Sequence, residues 1–95
     1  MLEVMKLIVF YRPNSEHARL VEEFIHDLQR VHNVNPSQLD IMDVDSRDGV
    51  AMASLYDVMM YPSFLVVADD GSIMKSWEGT QLPLMNEIAS YTFSY

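Results

Sequence analysis

Ser15 and His17 are the side chains whose types first suggest chemistry, because a histidine can act as the base for a serine nucleophile. On a starting helix, residues two positions apart point in different directions, and no acid is placed to orient the imidazole. We therefore interpret Ser15 as a helix N-cap and predict no catalytic residue. The 95-residue chain has no cysteine, which excludes disulfides, thiol nucleophiles, zinc-thiolate sites and iron–sulfur clusters.

Glu22 and His26 raise the question of a metal site, because their four-residue spacing would place them on one helical face. His17, the nearest further ligand, lies more than two turns away from His26, so the three side chains do not converge. We interpret them as a solvated helix face and predict neither a metal nor a cofactor. His32 is interpreted as a cation near the end of the same helix.

The formal net charge of −8 repels phosphate backbones and anionic lipid surfaces, so nucleic acid and membranes are not expected partners. No apolar run approaches the about 20 residues of a membrane span, and the first residues do not resemble a signal peptide. We therefore expect a cytoplasmic protein. The length and composition predict one folded domain over residues 1–95, in which residues 1–4 precede the first strand.

The first half of the chain reads as a β-α-β unit. Lys6–Tyr11 is a continuous apolar run that is typical of a strand buried on both faces. A turn at residues 13–15 precedes a helical stripe, and residues 39–44 form a second, partly alternating strand. Strands joined by a helical crossover are usually parallel. The stripe consists of Ala18, Val21, Phe24 or Ile25, Leu28 and Val31.

The second half predicts a helix, a hairpin and a terminal helix. Asp45 or Ser46 would cap a helix that carries Val50, Ala51, Leu55 and Val58 and stops before Pro62. Residues 63–67 and 73–77 flank an Asp70-Gly71 turn, which predicts two antiparallel strands. The tail has Pro83 near the start of the predicted helix and carries a helical stripe, although its aromatic residues also alternate as in a strand. The stripe consists of Leu84, Ile88, Tyr91 and Tyr95.

This element order and several local motifs resemble the thioredoxin-like superfamily over nearly the whole chain. Residues 10–19 (FYRPNSEHAR) are similar to the stretch that carries C-x-x-C in thioredoxins. Residues 41–45 (IMDVD) resemble the family's strand that ends in aspartate, and residues 56–64 (YDVMMYPSF) resemble its loop before a cis-proline. Asp70-Gly71 and then residues 77–79 (WEG) complete the pattern. The resemblance implies a three-layer α/β/α sandwich with a central mixed sheet of about four strands.

The resemblance also implies that the family's redox chemistry is missing. Ser15 and Ala18 stand where the two cysteines would, so C-x-x-C is replaced by Ser-x-x-Ala. A serine hydroxyl is too weak an acid for a helix N-terminus to ionise, and a methyl group cannot resolve a mixed disulfide. Val9 and Ile41 stand where thioredoxins carry a buried aspartate and a neighbouring lysine. Tyr61-Pro62 stands where the family has a peptide bond to a cis-proline, so the resemblance implies a cis bond here.

Members of the family hold an extended peptide in a groove beside the cis-proline, and the resemblance implies that this chain retains the groove. We therefore predict a redox-inactive domain that binds a protein or peptide partner, with exposed methionines as adaptable contacts. The alternatives are a homodimer face on the same patch, a cysteine-free glutathione-binding or other small-molecule domain, and a purely structural subunit. The residues of the predicted groove are Tyr11, Asn14, Ser15, Met59, Met60, Tyr61, Pro62 and Gly79.

Overall fold

The computed structural model describes residues 5–31, 36–79, 82–83 and 87–88. The predicted order of strands and helices is confirmed as far as the hairpin, with small shifts of strand ends, but the second helix ends at Leu55, so Val58 lies outside it. In chain order the elements are β1 (Lys6–Tyr11), α1 (Ala18–Val31), a short 3₁₀ turn (Pro36–Gln38), β2 (Leu39–Asp43), α2 (Arg47–Leu55), β3 (Ser63–Val67) and β4 (Ile73–Glu78).

The four strands form one mixed sheet in the order β2-β1-β3-β4. β1 and β2 are parallel, as the β-α-β pattern predicts, and Val9 lies opposite Ile41. β3 is antiparallel to both β1 and β4, which confirms the hairpin. β1 is therefore a central strand, with a neighbour on each side.

Both faces of the sheet carry a hydrophobic core, because successive side chains of β1 point to opposite sides. Leu7, Val9 and Tyr11 pack with α1 on one face, and Ile8 and Phe10 pack with Ala53 of α2 on the other. The α1-side core also joins Phe24 to Phe64, whose ring centroids are 5.3 Å apart in a T-shaped arrangement. The structure thus has the predicted three layers.

The helix α2 turns a different face to the sheet from the one its apolar residues predict. Val50 and Leu55 are 56% and 72% exposed, and the residues that α2 buries are Gly49 and Ala53. These small residues allow the helix to approach β2 closely, so the larger apolar side chains lie outside. Val31 at the end of α1 is also exposed, although the remaining stripe of that helix is buried or half-buried.

The junction of β2 and α2 is built around the backbone carbonyl of Asp43. Ser46 caps α2 by accepting from Gly49 N–H at 2.9 Å, and its own hydroxyl donates to the Asp43 carbonyl at 2.7 Å. A Cβ atom at Gly49 would lie only 1.8 Å from that carbonyl oxygen. The first turn of α2 therefore rests directly on the end of β2.

The hairpin turn is closed by its polar residues. The Asp70 carboxylate accepts from the Ser72 hydroxyl at 2.6 Å and from the Ser72 amide at 3.0 Å, and these bonds lower the pKa of Asp70. Gly71 adopts φ +90°, a conformation that side chains disfavour. The strand register then shifts between Val66 and Val67, which places a bulge in the hairpin.

The tail is described only in part. Glu87 and Ile88 are helical, and Ile88 is buried in the α1-side core. Leu84, Tyr91 and Tyr95 of the predicted stripe lie outside the described residues, as do His32 and residues 1–4. Within the described part of the chain, no helix has the length and apolar character needed to cross a membrane.

Gly49→Ala is expected to lower the free energy of unfolding by about 3 kcal/mol, because α2 must move away from β2 to admit the methyl group. Chemical denaturation measures this loss. Ser54→Ala, an exposed change in the same helix, is the control and should stay within about 0.5 kcal/mol of the unmodified protein. Equal stability of all three proteins would contradict the close approach.

Candidate functional site

The loop between β1 and α1 directs its polar atoms toward one residue, Arg12. The Ser15 hydroxyl donates to the Arg12 carbonyl at 2.5 Å, and the Arg12 amide donates to His17 Nε2 at 3.2 Å. Asn14 makes the turn possible with a positive φ of 65°. Because the hydroxyl proton and the Nε2 lone pair are both engaged with the backbone, Ser15 and His17 do not form a nucleophile–base pair.

The prediction that Ser15 caps α1 is wrong. The helix begins at Ala18, and the Ala18 amide donates to the backbone carbonyl of Ser15 at 3.2 Å. The Ser15 side chain points back toward Arg12 instead of toward the helix amides. Ala18, the other position that the resemblance matches to a cysteine, is buried in the α1-side core.

Tyr11 lies in the core rather than on an open groove. Its side chain is buried against α1, and its hydroxyl donates to Glu22 Oε2 at 2.8 Å. Burial, the hydrogen bond and the negative charge of Glu22 together raise the pKa of Tyr11 to about 12. The Glu22 carboxylate therefore has a structural role as the acceptor for the Tyr11 hydroxyl.

Arg12 is held by a carboxylate of the neighbouring strand end. Its Nε lies 3.0 Å from Asp45 Oδ2, and this hydrogen bond and charge raise the pKa of the guanidinium. The second cation near the start of α1, Arg19, borders a shallow depression together with Glu22, Glu23 and Asp27. Both cations of this region therefore lie among carboxylates.

The loop before β3 is fixed by backbone contacts on both sides. The Tyr61-Pro62 peptide bond is cis, and the Ser63 hydroxyl donates to the Met60 carbonyl at 2.5 Å. The Gly79 amide donates to the Pro62 carbonyl at 2.9 Å and thereby joins the end of β4 to this loop. A Cβ at Gly79 would lie 3.4 Å from Met60 Cε, so the Met60 side chain runs over Gly79.

Met59 and Met60 are both exposed, by 79% and 55%. Their neighbour Tyr61 is half-buried against the α2-side core, and Pro62 is buried. The structure therefore brings Met60, Pro62 and Gly79 together. Asn14 and Ser15 lie apart from these residues in the sequence, in the loop between β1 and α1. Tyr11 packs in the α1-side core and Tyr61 against the α2-side core, on opposite faces of the sheet.

A cavity of about 270 Å³ opens beside Pro62 on the α1 side. The lining residues Glu16, Leu82 and Leu20 are not among the predicted site residues, and Leu20 is 54% exposed although it is apolar. Its signal in the sequence is its position outside the buried stripe of α1. The cavity is lined by Glu16, His17, Leu20, Val21, Pro62 and Leu82.

Among the residues that the structure describes, no three histidine, aspartate or glutamate side chains are grouped so that they could hold a metal ion. Glu22, which the sequence analysis considered with His17 and His26, accepts a hydrogen bond from Tyr11. The arrangement around Pro62 therefore offers apolar contact and exposed charge rather than a set of metal ligands.

The raised pKa of Tyr11 predicts a loss of stability in alkali. The unfolded phenol ionises near pH 10, whereas the folded phenol keeps its proton to about pH 12, so the free energy of unfolding should fall over this interval. Denaturant titrations across the interval measure the fall. Tyr11→Phe should remove part of it, and Glu22→Gln should lower the pKa of Tyr11 because it keeps an acceptor and removes a charge. Identical pH profiles for the unmodified and Tyr11→Phe proteins would contradict the assignment.

Comparison with known proteins finds likeness in structure alone, since no protein-family model and no curated protein matches the sequence. A mutant thioredoxin from Halobacterium salinarum is 25% identical, with a TM-score of 0.68 over 96% of this chain and 77% of that one. Thioredoxin O1 from Arabidopsis thaliana is 12% identical, with a TM-score of 0.70 over 96% of this chain and 79% of that one. Mitochondrial thioredoxin 3 from Saccharomyces cerevisiae is 16% identical, with a TM-score of 0.66 over 93% and 76% of the respective chains. Together with the sheet topology, these likenesses show that the chain has a thioredoxin-like α/β fold.

Proposed function

We propose that this chain is a redox-inactive thioredoxin-like domain that binds a protein or peptide partner at the surface around Pro62. We call this region the Pro62 surface and define it by Met59, Met60, Pro62, Gly79 and the adjoining cavity. The observation that carries the proposal is the exposure of two adjacent methionines beside a cavity with apolar walls. Exposed apolar surface next to a concave site is typical of interaction sites.

The side chains of the Pro62 surface suit contact with another polypeptide. Methionine is flexible and polarizable, so Met59 and Met60 can adapt to the shape of a partner. The Pro62 carbonyl is already paired with Gly79, so the loop that carries the methionines is held in place before any partner arrives. A preorganised loop loses less conformational entropy on binding.

The chain holds no group for thiol–disulfide exchange, since it contains no cysteine. The Ser15 hydroxyl and the His17 imidazole both bond to the backbone of Arg12, so no activated nucleophile replaces the thiol. These two facts support binding without catalysis. The assignment of Ser15 and Ala18 as the degenerate counterparts of a C-x-x-C pair is part of this proposal.

Glutathione is a weaker candidate ligand for the same place. The cavity is slightly smaller than the about 300–1,000 Å³ that small-molecule sites usually occupy. Its lining includes the carboxylate of Glu16, which repels the two carboxylates of the tripeptide. Arg12, which could otherwise attract them, is paired with Asp45.

The test replaces Met60 by glutamate and compares partner capture from a lysate with that of the unmodified domain. Burying an unpaired carboxylate in the interface is expected to weaken binding at least about tenfold. Quantitative mass spectrometry of the captured proteins measures the change. Val50→Glu is the matched control, because Val50 is 56% exposed and Met60 is 55% exposed, and Val50 lies on α2.

A partner that the unmodified domain and Val50→Glu retain and that Met60→Glu loses would establish binding at the Pro62 surface. Capture that is equal in all three proteins would overturn it. Sedimentation of the purified domain tests the alternative that the surface is a homodimer face. If the domain is a dimer and Met60→Glu makes it a monomer, the partner is a second copy of the chain. Folding of each variant is checked by its circular dichroism and unfolding midpoint.

A further inference from the structure

Two carboxylates flank the Pro62 surface. Glu16 lines the cavity together with Pro62 on the α1 side. Glu78 lies opposite Ser63 in the β3–β4 register, so it stands next to Pro62 at the end of the sheet. Both side chains belong to exposed residues. A chain bound across Pro62 would therefore pass between two negative charges.

These two carboxylates are available to a partner. Within residues 5–31 and 36–79, the ion pairs are Lys6–Asp40, Arg12–Asp45 and Asp27–Arg30, and neither Glu16 nor Glu78 takes part. The nearby cation Arg12 is held 3.0 Å from Asp45. Arg12 therefore does not neutralise the two carboxylates, and neither of them forms an ion pair with another described cation.

Two further carboxylates lie near the end of β1. The negative charges of Glu22 and Asp43 act on Tyr11, and Asp43 also acts on the cation Arg12, which is paired with Asp45. The whole chain has a formal net charge of −8. A second copy of the chain would bring the same negative charge, which disfavours self-association at this place.

We infer that the segment recognised by the Pro62 surface is an extended peptide in which lysine or arginine flanks an apolar side chain, an inference that rests on the function proposed above. The apolar side chain occupies the cavity between Leu20, Val21 and Pro62. The flanking cations face Glu16 on one side and Glu78 on the other. Apolar contact supplies most of the affinity, and the charges select among apolar peptides and accelerate association.

The size and walls of the cavity agree with this occupant. A volume of about 270 Å³ is small for a cofactor and large enough for a buried side chain. Leu20 of α1, which is 54% exposed, and the half-buried Leu82 after β4 supply accessible apolar walls, whereas Val21 and Pro62 are buried and add little accessible surface. The carboxylate of Glu16 lies at the same cavity, where a cation on the neighbouring peptide residue can reach it.

The experiment uses fluorescence anisotropy with three synthetic peptides that share a Leu-Val-Leu centre. Lysine flanks the centre on both sides in the first peptide, serine in the second and glutamate in the third. The lysine peptide is expected to bind about fivefold more tightly than the serine peptide, and the glutamate peptide most weakly. The preference should fade as salt shortens the Debye length from about 30 Å at 0.01 M to about 3 Å at 1 M.

Single charge reversals show which carboxylates produce the preference for the lysine peptide. Glu16→Lys and Glu78→Lys should each reduce the preference for lysine, whereas Asp69→Lys, in the hairpin turn at the opposite end of β3, should leave it intact. All three variants change the net charge equally. If the preference for the lysine peptide fell equally in all three, the effect would come from net charge alone and the inference would be overturned. Equal binding of the three peptides would also overturn it and would leave the proposed binding function standing. Failure of every peptide to bind would count against both.

Discussion

The burial of β1 on both faces is the constraint on which the rest of the structure depends. Alternate side chains of this strand enter the α1-side core and the α2-side core, so neither helix could be removed without exposing half of the strand. The same strand pairs with β2 and β3, and its end delivers Tyr11 and Arg12 to the loop before α1. The position of the helix start relative to Pro62 therefore follows from the packing of β1.

The Pro62 surface depends on a second connection, between the ends of β3 and β4. The hydrogen bond from the Gly79 amide to the Pro62 carbonyl extends the pairing of the two strands beyond their last residues. The backbone can turn at this point because glycine tolerates the φ of +86° that Gly79 adopts, and the Met60 side chain lies over this residue. The hairpin thus holds the exposed methionines at one end of the sheet, beside the first residue of β3, so a feature of the fold also shapes the candidate site.

The sequence predicts the fold well where one local pattern has one structural solution. The apolar run of β1 and the Asp70-Gly71 turn are of this kind, and both were found as expected. The apolar residues of α2 were a poor guide, because the absence of a side chain at Gly49 decides which face approaches β2. The direction of the Ser15 hydroxyl depends on loop geometry, and the lining of one cavity by both Leu20 and Leu82 depends on how distant parts of the chain come together. A pattern of residue types contains neither.

The two sides of the candidate site differ in what they can still offer to another molecule. At the start of α1, Ser15 and His17 bond to the backbone of Arg12, and the guanidinium of Arg12 bonds to Asp45, so the polar groups there satisfy one another. At Pro62, the methionines are exposed and two neighbouring carboxylates lack ion-pair partners among the described residues. A ligand that needs hydrogen bonds from the helix start would have to break existing ones, which carries a desolvation cost. A ligand that brings an apolar side chain and positive charge to Pro62 breaks none of these bonds, and for that reason we propose recognition of a polypeptide rather than chemistry at the helix start.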